Sequence, residues 1–554
     1  MKRTRKRISV IIVSALAVLA LALSFAFRDG DFKIIKSLDL FYAVFKEVNL
    51  YYADEQDPEK LVKKSIDSML GSLDPFTHFY SGDDVKDLKQ MRTGQYGGVG
   101  ATIMQHEGKT YIAELIEKGP ACETGVRQGD ILVKVDSVFI IKQNVNEIGE
   151  LLRGEPNTFV NVTISRLGTE MNYKIKRGKI SIPNVPYYGL ANDSIGFIRL
   201  SNFAGNAARE VKNALTELKK KYPIKGVILD LRGNPGGLLN EAVSITNLFV
   251  DKDVEIVSLK RRNTVREMQY KTSQSPVDTE IPLVILVNKE SASASEVVSG
   301  SIQDLDRGVI IGQKTYGKGL VQTERPLPYN SFLNITTSKY YIPSGRCIQA
   351  LDYFHKTKDG VAPSTPDSLV KKFKTKNGRT VDDAGGIKPD IAVIPDTLND
   401  FMKSLEKQNM IFSFATVYAS SHAPVTDVRT FHITDQDLAE FEKFLEKNKF
   451  RYQNESEIEL EKLIRSLQKN DQYESTLENI SKIQSAIRSD LTSELKKNKE
   501  YMARLLKEEI CSRYYFIKGK IGSSLTSDQY VIEAVKVLND RILYNHILQN
   551  NVIR

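Results

Sequence analysis

The sequence predicts a multidomain chain with an α/β core at its centre, α+β overall once its flanks are counted, and three observations carry that expectation. The chain has 554 residues, more than one hydrophobic core usually organises. Two apolar runs, Ile224–Leu229 and Ile281–Val287, each lead through a turn into a helical pattern, as strands of a buried sheet do. The flanks differ in texture: short strand-like runs separated by glycines lie before this core, and Glu/Lys/Leu/Ile-rich helical periodicity follows it.

In chain order, residues 1–29 open with Lys2, Arg3, Arg5, Lys6 and Arg7 ahead of Ile8–Phe27, an uncharged run of twenty residues. That length spans a bilayer, and the basic flank keeps the N-terminus in the cytoplasm, so an uncleaved membrane anchor is expected. Ala20-Leu21-Ala22 offers the alternative of a cleaved signal peptide. Either reading exports the body. Residues 30–93 read as a helical subdomain from the spacing of Leu38, Phe41, Tyr42, Phe45 and Val48, broken by Asp74-Pro75. Residues 94–178 have the size of one compact β-rich module, and residues 179–397 hold the α/β core. Residues 398–554 are helical, as in Leu438–Lys449 and Glu457–Leu467, and read as an appendage. This last region could simply stabilise the rest, or present a surface for a homo-oligomer or a delivery adaptor; no motif chooses between them.

The net charge of +9 comes largely from the N-terminal cluster and from solvated lysine stretches such as Lys219–Lys221 and Lys371–Lys376. No recognition motif accompanies them, so no nucleic-acid partner is expected. Cys122, Cys347 and Cys511 form no CxxC pair, and none of the six histidines falls in an HExxH pattern. Neither a metal nor another cofactor is expected.

Three separated segments carry the chemistry. After the Ile281–Val287 strand come Ser291-Ala-Ser293-Ala-Ser295-Glu296 and an apolar-periodic helix. A serine raised off a strand end at a helix start is exposed, beside free N–H groups and a dipole that favour negative charge. By themselves these serines read more readily as caps of the helix, with Glu296 completing its first turn. The second segment is Lys314-Thr-Tyr-Gly-Lys318-Gly-Leu-Val-Gln322. If it is extended, Lys318, Leu320 and Gln322 share one face. An exposed lysine with a pKa of about 10.4 is a poor base, whereas burial disfavours its charged form and would let it accept a serine proton, with Gln322 orienting the amine. Taken alone, a glycine-flanked lysine is more often a solvated charge. The third is Asp230-Leu-Arg-Gly-Asn-Pro-Gly236-Gly237, whose glycines allow N–H groups to converge on an oxyanion but equally suit a tight turn.

Together these segments resemble the C-terminal processing peptidases, or tail-specific proteases, over about residues 35–395. The motifs occur in order: Leu73-Asp-Pro-Phe-Thr77, Tyr96-Gly-Gly-Val-Gly100, Gly119-Pro-Ala through Gly129-Asp130, Asp230 to Gly237, Ser291 to Glu296, Thr315 to Gly319, Tyr341-Ile-Pro-Ser-Gly-Arg346 and Gly385-Gly-Ile-Lys-Pro-Asp390. Gly233 stands where the family often has Asn, and an insertion separates Asp352 from Gly385. The resemblance implies a crotonase-like ββα protease core with Ser293 as nucleophile, Lys318 as general base and Gln322 orienting it. It places the oxyanion hole at the N–H of Ala294 and of either Gly236 or Gly237. Residues 94–178 resemble a PDZ domain whose loop Gly97, Gly98, Val99 and Gly100 would receive the carboxylate of apolar C-terminal tails of protein substrates.

The implied function is a serine endopeptidase of the bacterial cell envelope, anchored in the inner membrane with its catalytic body in the periplasm, or soluble there if the N-terminal segment is removed. A catalytically silent PDZ scaffold or chaperone is the competing reading; a pure binder has no need of Ser293, Lys318 and Gln322 together.

Overall fold

The computed structural model describes residues 29–82, 84–262, 267–395, 398–469, 473–487 and 490–549. The expected anchor at Ile8–Phe27 lies outside them. Among the described residues no helix is long and apolar enough to cross a membrane.

The chain divides into two units, residues 1–79 and 80–554. In the first, helices Asp29–Tyr51 and Pro58–Gly71 realise the predicted periodicity. Asp57 caps the second through the amides of Glu59 and Lys60, and Pro58 at its first position needs no donor of its own. The predicted break is a turn in which Asp74 Oδ1 accepts from the amides of Phe76 and Thr77 at 2.8 and 2.9 Å.

The second unit is built around a sheet with the strand order Tyr187–Leu190, Ile195–Arg199, Gly226–Asp230, Leu283–Val287, Val309–Gly312 and Ile391–Ala392. Its first pair is antiparallel and the rest are parallel. Strands Gly226–Asp230 and Leu283–Val287 are buried throughout, which is why they read as unbroken apolar runs rather than alternating ones. One face of the sheet, including Leu229, Ile285 and Val287, packs on helices Ala207–Lys221, Leu239–Thr246 and Ala294–Asp304. The other, including Ile228, Val284, Leu286 and Ile311, is covered by Val531, Ala534, Val537 and Leu538 of helix Gln529–Asn539. The C-terminal region is therefore more than an appendage: its last helices form the second layer of the core. Tyr544, on helix Arg541–Leu548, accepts a hydrogen bond from the amide of Leu283 at 3.0 Å.

An antiparallel sheet contains Glu255–Arg261, Met268–Lys271 and the hairpin Leu320–Leu327 with Ser331–Tyr341. Residues 95–181 form the inserted β-rich module, whose sheet runs Ala101–His106, Lys109–Leu115, Ile131–Val135, Phe159–Arg166, Thr169–Lys176. Helix Val145–Leu152, opened by an Asn144/Glu147 capping box, lies beside the edge strand Ala101–His106. Antiparallel pairing of Gln95–Gly98 with Gly178–Ser181 closes the module where it enters and leaves the chain. The expected α/β core with an inserted β module and helical flanks is what the chain forms.

Candidate active site

Strand Leu283–Val287 delivers the segment from Asn288 to the helix Ala294–Asp304, and its three serines separate by what their hydroxyls do. Ser291 Oγ donates to the carbonyl of Leu231 at 2.9 Å, and Ser295 Oγ donates to that of Asn234 at 2.9 Å; both side chains are fully buried. They bolt the Ser293 segment to the Asp230–Gly237 turn. Ser293 is only partly buried and lines a cavity of about 410 Å³ with Lys318, Gln322, Ala294, Gly237, Leu238, Phe203 and Tyr340. It has φ 56° and ψ −113°, a conformation sparsely populated for a non-glycine residue and of the kind that over-determined functional sites sustain.

The fully buried Glu296 holds this geometry. Its Oε2 accepts from the amides of Ser293 and Lys318 at 2.8 and 2.9 Å, while Oε1 accepts from Thr315 Oγ1 and the Gly317 amide at 2.5 and 2.7 Å. Burial pushes the carboxyl above its ordinary range, against the pull of these hydrogen bonds. Glu296 thus does more than complete a helix cap: one carboxylate locks both residues expected to react. Tyr340 adds a second bridge, its hydroxyl donating to the Lys318 carbonyl at 2.6 Å and lying 3.4 Å from that of Ser293.

Lys318 precedes the strand rather than lying on it, since regular pairing starts at Leu320. A register shift between Val321 and Gln322 then breaks strict alternation. The expected single face of Lys318, Leu320 and Gln322 is therefore modified: all three line the cavity, and Val321 joins them. Gln322 Nε2 donates to Thr336 Oγ1 at 3.1 Å on the partner strand of the hairpin. At the cavity rim Arg92 Nη1 meets both oxygens of Glu324, at 3.1 and 2.9 Å.

The Asp230–Gly237 turn is shaped by buried polar side chains. Asp230 accepts from Arg199 and Arg232 at 2.6 and 2.7 Å, and Asn234 donates to the Leu200 carbonyl at 2.8 Å. Asn234 Oδ1 takes the Gly236 amide at 2.9 Å, so that donor is engaged. Among the described residues the amides of Gly237 and Ala294 have no protein acceptor. Gly236 has φ +100°, and a Cβ there would sit 2.8 Å from Ser293 Cβ and 2.9 Å from the Ala294 nitrogen. Only glycine lets the turn approach this closely.

In the inserted module, Val99 is buried and its carbonyl accepts from Ala121 at 2.9 Å, while the Gly100 carbonyl accepts from Ile116 at 2.9 Å. The amides of Val99 and Gly100 have no protein acceptor among the described residues, and Gly97 and Gly98 lie in the closing strand pair. The loop leads straight into the edge strand Ala101–His106.

Of the residues the sequence singled out, Ser293, Lys318, Gln322, Ala294 and Gly237 line one cavity and Gly236 does not; Glu296 was weighed only as a cap and Tyr340 was not singled out. The Ser-x-x-Glu spacing was the available signal for Glu296, and Tyr340 immediately precedes the Tyr341–Arg346 motif.

Known proteins match several parts of the chain. The family model described as peptidase family S41 matches residues 194–365, a PDZ domain model matches 111–166, and a model described as a probable PDZ-protease C-terminal helical domain matches 401–538. A carboxy-terminal-processing protease of Bartonella bacilliformis is 35% identical over 66% of this chain and 81% of that protein. A probable CtpA-like serine protease of Staphylococcus aureus is 33% identical over 62% of this chain and 69% of its own. Among solved structures, the photosystem II D1 C-terminal processing protease is 26% identical over 68% of this chain and 96% of its own, with a TM-score of 0.35. The chain belongs to peptidase family S41, among the carboxy-terminal-processing serine proteases.

Proposed function

We propose that the chain is an endopeptidase of the cell envelope in which Ser293 attacks the scissile carbonyl while Lys318, in its neutral form, takes the hydroxyl proton. Gln322 orients the amine, and the amides of Ala294 and Gly237 hold the oxyanion. The bond from Ser293 Oγ to the carbonyl carbon forms as the carbonyl π electrons move to oxygen. Collapse then expels the amine with the proton from Lys318, and water resolves the acyl-enzyme. The observation that carries this reading is Glu296 holding the backbones of Ser293 and Lys318 together beside one cavity. The engagement of the Gly236 amide by Asn234 favours Gly237 as the second oxyanion donor.

The inserted module presents the substrate. An apolar tail adds as a strand beside Ala101–His106, and its terminal carboxylate meets the amides at Val99 and Gly100. The apolar run Ile8–Phe27 with its basic flank supports export, with tethering or removal of that segment as the two outcomes.

The test is cleavage of an unstructured reporter bearing an apolar or a charged C-terminal tail, with Ser293→Ala alongside. Cleavage that depends on the tail and is lost in the variant supports the reading; binding without cleavage by the wild type favours the scaffold.

A further inference from the structure

The turn that carries Gly236 and Gly237 is held from outside the reaction cavity by the C-terminal helices. Arg232 spends its Nε and Nη2 on Asp230, at 2.9 and 2.7 Å. Its Nη1 donates to Asp528 Oδ1 at 3.0 Å, and Nη2 lies 2.8 Å from Asp528 Oδ2. The Tyr530 ring lies under the same guanidinium, 4.7 Å away. Arg199 also binds Asp230, so without Asp528 this cluster would set two guanidinium groups against one buried carboxylate. Asp528 balances the charge.

Its own position is fixed twice. Asp528 caps helix Gln529–Asn539 by accepting from the amides of Tyr530 and Val531 at 2.9 and 3.3 Å. The helix is seated by Val531, Ala534, Val537 and Leu538 on the sheet face of Ile228 and Leu286, whose strands run into the Asp230 turn and the nucleophile segment. The path from Asp528 through Arg232 to residues 233–237 therefore rests on elements that share one core.

We propose that Asp528 is a positioning residue for the peptidase reaction: acting through Arg232, it holds the turn that aims the Gly237 amide, so that the C-terminal helical region completes the active site. This rests on the reading of the Gly237 and Ala294 amides as oxyanion donors. It gives a catalytic reason for a helical region that sequence reasoning left as a stabiliser or docking surface.

Asp528→Asn separates the two jobs of the side chain, because Asn caps a helix about as well as Asp but carries no charge. Asp528→Glu keeps the charge. In the full chain, kcat on the reporter is expected to fall about tenfold or more in Asp528→Asn, with KM and melting temperature close to wild type and partial recovery in Asp528→Glu. Hydrogen exchange of the hydrogen-bonded amides of Gly233, Asn234 and Gly236 is expected to accelerate in Asp528→Asn, a readout that needs no turnover. Wild-type kcat in Asp528→Asn, or unchanged exchange in that turn, overturns the proposal. Failure of the wild type to cleave overturns the peptidase reading instead, and exchange still decides whether Asp528 orders the turn.

Discussion

One oxygen of Glu296 accepts hydrogen bonds from the backbone amides of both Ser293 and Lys318, at 2.8 and 2.9 Å, although one residue precedes a helix and the other a strand. Glu296→Gln turns an amide NH2 toward two of the four donors the carboxylate now satisfies, and an unsatisfied buried donor costs about 1–3 kcal/mol. The expected outcome is a folded enzyme with kcat lowered at least tenfold, measured by steady-state cleavage beside a thermal melt.

Removing the proposed proton acceptor is expected to be more severe. Lys318→Ala is expected to lower kcat by about 10³ while tail-peptide binding stays at the wild-type level, because general-base catalysis contributes about 10²–10⁴. With Lys318 as the proposed base, wild-type activity should rise toward alkaline pH. A rate measured from pH 6 to 10 checks this, and full turnover by Lys318→Arg would contradict the assignment of the base.

At Gly236 a methyl group would lie 2.7 Å from the Ala292 carbonyl and 2.8 Å from Ser293 Cβ, on a backbone already at φ +100°. Gly236→Ala is expected to abolish covalent labelling of Ser293 by an active-site serine probe. Labelling at the wild-type rate would show that the turn does not set the geometry at Ser293.

Gly100 has φ +75°, and a side chain there would meet Ile180 Cδ1 at 3.2 Å. A β-branched residue is strained at positive φ, so Gly100→Val is expected to displace the two amides proposed to receive a carboxylate. In the otherwise intact Ser293→Ala protein its affinity for a fluorescent apolar tail peptide should fall about tenfold or more, equivalent to about 1.4 kcal/mol.

Behind the active-site turn, Glu508 lines a cavity of about 310 Å³ with Arg232, Arg504, Asp528 and Tyr530. Burial pushes its carboxyl up to about 7, with Asp528 and Glu509 adding to the rise and Lys520 and Arg504 opposing it. The folded state therefore keeps a proton that the unfolded chain releases near its ordinary value of 4.5, so stability falls as pH climbs toward 7 and levels off above it. Glu508→Gln should remove that loss. Its melting temperature is expected to exceed the wild type's at pH 8 by roughly 2–4 °C and to match it at pH 5.

What the sequence made legible follows from where the information lies. Ile224–Leu229 and Ile281–Val287 read as strands because burial on both faces leaves no polar interruption. Ser293 stood out only through the order of motifs, because the hydroxyl partners that distinguish it from Ser291 and Ser295 sit about 60 residues away, at Leu231 and Asn234. The register shift at Val321/Gln322 has no local mark, since it depends on pairing with the far strand of the hairpin. The contact between Arg232 and Asp528 spans 296 positions and joins regions of different texture, so no periodicity or spacing points to it.

The central claim is that Ser293 and Lys318 form one reacting pair, and the most direct measurement is cleavage of a tailed, unstructured reporter by the wild type, Ser293→Ala and Lys318→Ala, with intact-mass analysis for an acyl-enzyme. Cleavage by the wild type alone, with any trapped acyl group on Ser293, is the predicted result; undiminished cleavage in either variant would contradict it.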